Sequence, residues 1–217
     1  MSITPMPDIP PAPEGIHLSA IDSYIGQPGS LPGVSFWPRV GARVIDLIVH
    51  YLVAIGAGFL FGILLAIVAA LQHTSVHTLL AHQSSGGVAL FVFSLLGSVV
   101  LEAICEGFHG STAGKLLLSM VVVQEDGSPC RGGSAWIRSF AYFIDALFFG
   151  LIGYLNMQKN PQQQRHGDEW AHTIVCRRSD VAAQNLRGIG RFMLALFFAV
   201  LADAALVILG LLINLTS

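Results

Sequence analysis

Three apolar runs frame the chain. From Leu47 to Leu71, 25 residues pass without an Asp, Glu, Lys or Arg, long enough for a hydrocarbon core that needs about 20 helical residues. A second run, Val88 to Glu106, carries acids only toward its end, at Glu102 and Glu106, and a third, Phe192 to Leu215, carries Asp203 near its middle. Each predicts a membrane-spanning helix. A fourth run, Ala135 to Leu155, is shorter and holds Gly150 and Gly153. Its 21 residues fit either one crossing or two arms of about 15 Å that enter and leave on one side. The polar stretch His109 to Ala135 cannot cross. Within it Val121, Val122 and Val123 followed by Glu125, Asp126 and Gly127 read as a strand and turn, and Thr173 to Val175 supplies a later strand to pair with it. The fold expected is an all-α integral membrane protein: a small bundle of three to four transmembrane helices with a small cytoplasmic strand-containing cap.

Sidedness comes from the basic residues. None falls between residues 72 and 87, whereas Lys159, Arg165, Arg177, Arg178, Arg187 and Arg191 lie between 156 and 191. Positive loops stay in the cytoplasm, which puts the first loop outside, the basic stretch inside, and favours re-entry by 135–155. Residues 1–35 hold seven of the ten prolines and no Lys or Arg, so they read as a disordered tail with neither the basic region nor the apolar core of a signal peptide. The domain reading is a Pro-rich tail over 1–35, a membrane domain over 36–178, a basic linker over 179–191 and an added C-terminal helix over 192–217.

Composition agrees: 53% hydrophobic, 11% charged, mean hydropathy +0.67 is far from a soluble average. A net charge of −2 and no basic, aromatic-interleaved patch argue against nucleic acid. Cys105, Cys130 and Cys176 are odd in number and far apart, suggesting neither disulfides nor a zinc ribbon.

The chemistry lies in charges placed in or beside lipid, which are costly there and turn toward partners or water. Arg39 and Asp46 stand seven residues apart, two turns along one helical face, and are expected to interact, directly or through water. Arg138 and Asp145 repeat that spacing, a hint of the internal repeats of transporters. Glu106 is expected in a salt bridge to Arg39 or Arg43, or at the water interface. Asp46, Glu102, Asp145 and Asp203 together make a candidate ion or proton pathway. Ala54, Gly58 and Gly62, at four-residue spacing, form a stripe for close helix packing. His73 and His77 lack a third ligand type nearby, so no metal site is assigned and no cofactor is expected. The glycines before Lys115 lack nucleotide-loop spacing, since Leu116 follows the lysine. With no nucleophile, base and orienter in sight, an enzyme is not expected.

The spacing R-x-x-A-x-x-I-D at Arg39, Ala42, Ile45 and Asp46, the stretch EGFHGSTAGKLLLSMVVV from Glu106 to Val123, and QRHGDEWAHTIV from Gln164 to Val175 together resemble the RDD family of membrane proteins. Ala113 and His172 stand where the family often has Pro and Gly. The resemblance implies motif roles for Arg39, Ala42, Asp46, Glu106, Thr112, Gly114, Lys115, Asp168 and Thr173, with Asp168, beside Arg39 or Arg43 or capping a turn, as the second Asp of the family's name. It also allows a part in ion exchange. Two readings stay open. One is proton or small-cation transport through the carboxylates, in a homo-oligomer; the other is a non-catalytic scaffold or adaptor for other membrane proteins. The setting expected is the bilayer of a bacterial inner membrane, N-terminus cytoplasmic.

Overall fold

The computed structural model describes residues 31–80 and 87–216, so the tail up to residue 30 and His82 of the first loop lie outside the described residues. Three long helices carry the apolar runs: α1 (Phe36–Leu71), α3 (Val88–His109) and α8 (Ile189–Thr216), with a short α2 (Val76–Leu80) after the first. All three stretches are long and apolar enough to cross a membrane. At ~1.5 Å per residue, α1 is roughly 54 Å long, well beyond a ~30 Å hydrocarbon core. Its charged residues, Arg39, Arg43 and Asp46, are confined to its first third.

The bundle's most extensive contact is α3 against α8. Two glycines let these helices approach: a β-carbon at Gly210 would meet Phe93 Cβ at 2.9 Å and Leu90 Cα at 3.1 Å, and one at Gly97 would strike the Asp203 carboxylate. The expected stripe on α1 is different, because Gly58 and Gly62 face open space and Gly62 is exposed. The packing face within this chain is instead Arg39, Ala42, Asp46, His50, Ala57 and Phe61, all buried, because α1 must shelter its charges before its methyls.

After α3 the chain reverses at Gly110, whose left-handed backbone (φ 89°) lets its N–H cap the Glu106 carbonyl. Thr112 then starts α4 (Ala113–Leu117) by accepting from the Lys115 N–H at 3.3 Å. Strand β1 (Met120–Gln124) pairs antiparallel with β2 (Thr173–Arg177), Val122 opposite Val175. The expected strands are thus present, each longer than the sequence suggested. Between them lie α5 (Gly132–Asp145), α6 (Leu147–Lys159) and α7 (His166–Trp170). Leu31 and Val34 also belong to this cap: both are buried against strand residues and Val34 N–H donates to Val175 O at 2.8 Å. Packing thus begins before residue 36.

The run expected to re-enter is broken, with Gly132–Asp145 and Gly150–Lys159 bent by 111°. The turn uses Phe148 (φ 53°) and Gly150 (φ 87°). Gly153, expected to help the turn, instead lies against Asp145, where a β-carbon would meet its Cβ and carbonyl at 3.2 Å. Two positions where the family often has other residues are explained locally. Ala113 is the first residue of α4, where Pro suits the helix start, and His172 has φ 52°, a conformation that favours Gly.

Candidate functional site

An unbroken line of alternating charges ties the membrane helices to the cap. Arg43 of α1 donates to Glu102 of α3 at 2.7 Å, and Glu102 accepts from Lys115 of α4 at 3.1 Å. Lys115 also bonds Glu106, and Glu106 accepts from Arg138 Nε of α5 at 2.9 Å. Arg138 in turn bonds Asp168 of α7, which accepts from Arg39 at 2.5 Å and has Arg165 at 3.6 Å. Burial disfavours the Lys115 charge, but Glu106 and Glu102 outweigh it and hold the ammonium pKa above its ordinary value. Burial likewise works against an ionised Asp168, yet Arg138, Arg165 and Arg39 hold its carboxyl well below the usual carboxylate range.

Asp168 thus meets Arg39 as expected, and it accepts the Arg165 N–H at 3.1 Å, capping the start of α7. It is fully buried. Of the expected interaction of Arg39 with Asp46, direct or through water, the direct form is not made among the described residues. Arg39 spends its donors on Asp168, Val34 O (2.9 Å) and Gln163 O (2.7 Å), while Asp46 accepts from Thr112 Oγ1 at 2.6 Å and Gly114 N–H at 2.8 Å. Two turns of rise kept them apart, and nearer groups claimed each: acceptors for Arg39, donors for Asp46. Glu106 also departs from expectation: fully buried, it joins Lys115 and Arg138 and not Arg39 or Arg43.

The same device occurs twice. On α1, Asp46 caps the N-terminus of α4 through Gly114, and Gly114 sits where a β-carbon would collide with the Ala42 carbonyl. On α5, Asp145 caps the N-terminus of α7 by accepting from the N–H groups of His166 and Gly167, each at 3.3 Å. Gly167 sits where a β-carbon would come within 2.9 Å of Ala141 Cβ. Each short helix leads into one of the two paired strands, and Arg39 and Arg138 both end on Asp168. The signal was in the chain: RVGARVID (39–46) and RSFAYFID (138–145) share Arg, Ala, Ile and Asp at the same four positions. Spacing of Arg and Asp alone had shown half of it.

Asp46, Glu102 and Asp145 line one cavity of about 320 Å³, with Arg43, Lys115 and Arg165 among its cations and Tyr142 under the Arg43 guanidinium at 4.3 Å. Its remaining wall is apolar, including Phe36, Val44, Leu47 and Met157. Three of the four pathway carboxylates therefore meet. Asp203 does not, because α8 places it against His50. The motif residues Thr112 and Thr173 hold the site's second layer: Thr173 Oγ1 accepts from Arg138 at 2.9 Å. Among the described residues no cluster of three metal-ligand side chains occurs. Arg165, Tyr142 and His50 were not singled out from sequence, and no local pattern marks them.

A model of the RDD family matches residues 34–172. No curated protein and no solved structure matches the chain.

Proposed function

This chain belongs to the RDD family, and with that as premise we propose that it moves protons or small cations across the membrane through the cavity its two R-x-x-A-x-x-I-D halves share. The observation that carries the reading is the environment of Asp46. Glu102 is salt-bridged, and Asp145 has His166 Nδ1 at 3.1 Å. Asp46 alone among the cavity carboxylates has no Arg, Lys or His side-chain nitrogen within 4.0 Å among the described residues; it is held by a hydroxyl and a backbone N–H. A carboxylate held by neutral donors can exchange those bonds for a proton or a partly dehydrated cation without breaking a buried ion pair.

Asp46 and Asp145 occupy equivalent places in the two halves, a juxtaposition that transporters with internal repeats use for their sites. Taking a proton on Asp46 would release the start of α4, and the charged line would transmit that change through Lys115 to α3 and α5. The basic stretch after residue 156 favours a cytoplasmic cap and N-terminus in an inner membrane, and the 111° bend favours re-entry by α5 and α6. The scaffold reading draws on the unpacked Gly58 and Gly62 face of α1.

Flux in proteoliposomes under a pH or cation gradient tests the proposal. Wild-type flux that falls at least about tenfold in Asp46→Asn, roughly 1.4 kcal/mol in barrier, supports it. Absence of flux in folded wild-type protein, with a membrane protein copurifying stoichiometrically, would favour the scaffold.

A further inference from the structure

One turn beyond Asp46, α1 carries a second buried polar contact inside the apolar run. His50 Nδ1 lies 2.8 Å from Asp203 Oδ2 on α8, and His50 Nε2 lies 3.0 Å from Ser94 Oγ on α3. Asp203 is fully buried and His50 is 7% exposed. Neither is in the charged line, and Asp203 lies beyond the family match. The other Asp203 oxygen, Oδ1, has no hydrogen-bond partner among the described residues. It is pressed against Gly97 of α3, where an added β-carbon would strike it. An anion with a bare, buried oxygen is costly, and a proton removes that cost.

Other polar groups facing this region are few. On α1 they are Asp46 and Arg43, one and two turns away; on α3, Ser98, whose hydroxyl donates to Leu95 O at 2.8 Å, and Glu102, paired with Arg43 and Lys115. On α8 the nearest other charge is Arg191 at its start. The order Ser–His–Asp matches a hydrolase triad, but Ser94 lies inside α3, where successive N–H groups are spent on the helix and cannot form an oxyanion hole.

We propose that Ser94, His50 and Asp203 form an intramembrane proton relay whose acceptor is Asp203. A proton reaching Ser94 Oγ is taken up as the hydroxyl passes its own hydrogen to Nε2 of neutral His50. The Nδ1 hydrogen moves to Asp203 Oδ2. Ser94 ends unchanged, His50 ends as the other tautomer, and Asp203 ends neutral, so one proton has entered and no bond is left unaccounted for. Return follows the same bonds in reverse after the imidazole and hydroxyl reorient. This relay does not depend on the cavity around Asp46.

The test is infrared difference spectroscopy of the full-length protein in lipid, acid minus alkaline buffer. Beside the absorption of Asp46 and the exposed carboxyls, one deuterium-sensitive protonated-carboxyl C=O band is expected in the wild type and in Asp46→Asn that Asp203→Asn lacks. If Asp203→Asn does not fold, Asp203→Glu must shift the band's frequency. After a pH jump, Ser94→Ala and His50→Gln should slow the band's rise at least about tenfold while leaving its final amplitude unchanged. A wild type without the band, a band untouched by substitution at Asp203, or a rise unchanged in both relay variants overturns the proposal. Loss of the transport reading alone would leave the band in place.

Discussion

Asp168→Asn is the substitution whose cost can be worked most directly. The carboxylate is fully buried and carries charge-assisted bonds from Arg39 (2.5 Å) and Arg138, plus the Arg165 N–H at 3.1 Å. Asparagine keeps an acceptor for the N–H, so the cap survives. With the one asparagine oxygen kept on the side of the Arg165 N–H and Arg39, Arg39 exchanges a bond to a charge, about 1.5–3 kcal/mol, for one to a neutral oxygen, about 1 kcal/mol, while Arg138 faces the amide NH2 and loses its charged bond outright. Arg39 retains two carbonyl partners and Arg138 retains Glu106, so neither is stranded. The sum is a loss of about 2–5 kcal/mol, comparable to the ~3–5 kcal/mol for breaking a buried pair by removing one partner. Reversible unfolding in mixed micelles, followed by tryptophan fluorescence, measures it. The pH dependence gives a second reading. Because the three arginines hold the folded carboxyl well below its ordinary value, its contribution is full above the unfolded pKa of about 3.9 and is lost as pH falls below that. Asp168→Asn should lack that acid-side slope. A variant within about 0.5 kcal/mol of wild type, or one with the same slope, would refute the reasoning.

Gly114→Ala and Gly167→Ala should each destabilise by about 1–3 kcal/mol as overpacked sites, since the new methyl meets the Ala42 carbonyl in one and Ala141 Cβ in the other; the same unfolding assay decides, and a neutral effect at both would contradict the close approach. Burial pushes the Cys130 thiol up to about 11 and the Cys176 thiol up to about 12, so at about pH 8 an alkylating reagent should leave both unmodified in folded protein and label them after unfolding. Cysteines introduced at His77 and at Gln184 should be labelled from opposite sides of sealed vesicles, His77 from outside; labelling of both from one side would show that α5 and α6 together cross the membrane.

What the sequence revealed follows from the range of the forces involved. Apolar runs and breaks are local, so the three long helices, the two strands and the 146–150 turn region could be read from hydropathy and glycine placement. The RDD-like motifs also located Asp168 beside Arg39. Pairing within the charged line was less legible because it depends on which elements meet. Arg39 and Asp46 share a face of α1, yet the cap delivers Asp168 to one and the start of α4 to the other. His50 is a lone histidine in an apolar run, which by itself marks nothing; only the docking of α8 gives it Asp203. The Gly58 and Gly62 stripe misled because spacing identifies a face able to pack and not the neighbour that packs there.

Charge balance ties the two repeated aspartates together. The salt-bridged line holds five cations, Arg39, Arg43, Lys115, Arg138 and Arg165, but three carboxylates, Glu102, Glu106 and Asp168. Counted over its lysine, arginines and carboxylates, the site reaches neutrality with Asp46 and Asp145 at the cavity wall. The self-energy of a buried charge grows as its square. Removing one aspartate's charge leaves an excess of one, and removing both leaves an excess of two, costing about four times as much as the first. Asp46→Asn with Asp145→Asn should therefore destabilise the fold by more than the two single changes combined, with a coupling of about 0.5–3 kcal/mol. A double-mutant cycle in the unfolding assay measures it, and salt should shrink the coupling only weakly because the site is buried. Additivity within about 0.3–0.5 kcal/mol would mean that the two halves neutralise their cations separately, and that the cavity is not one electrostatic unit.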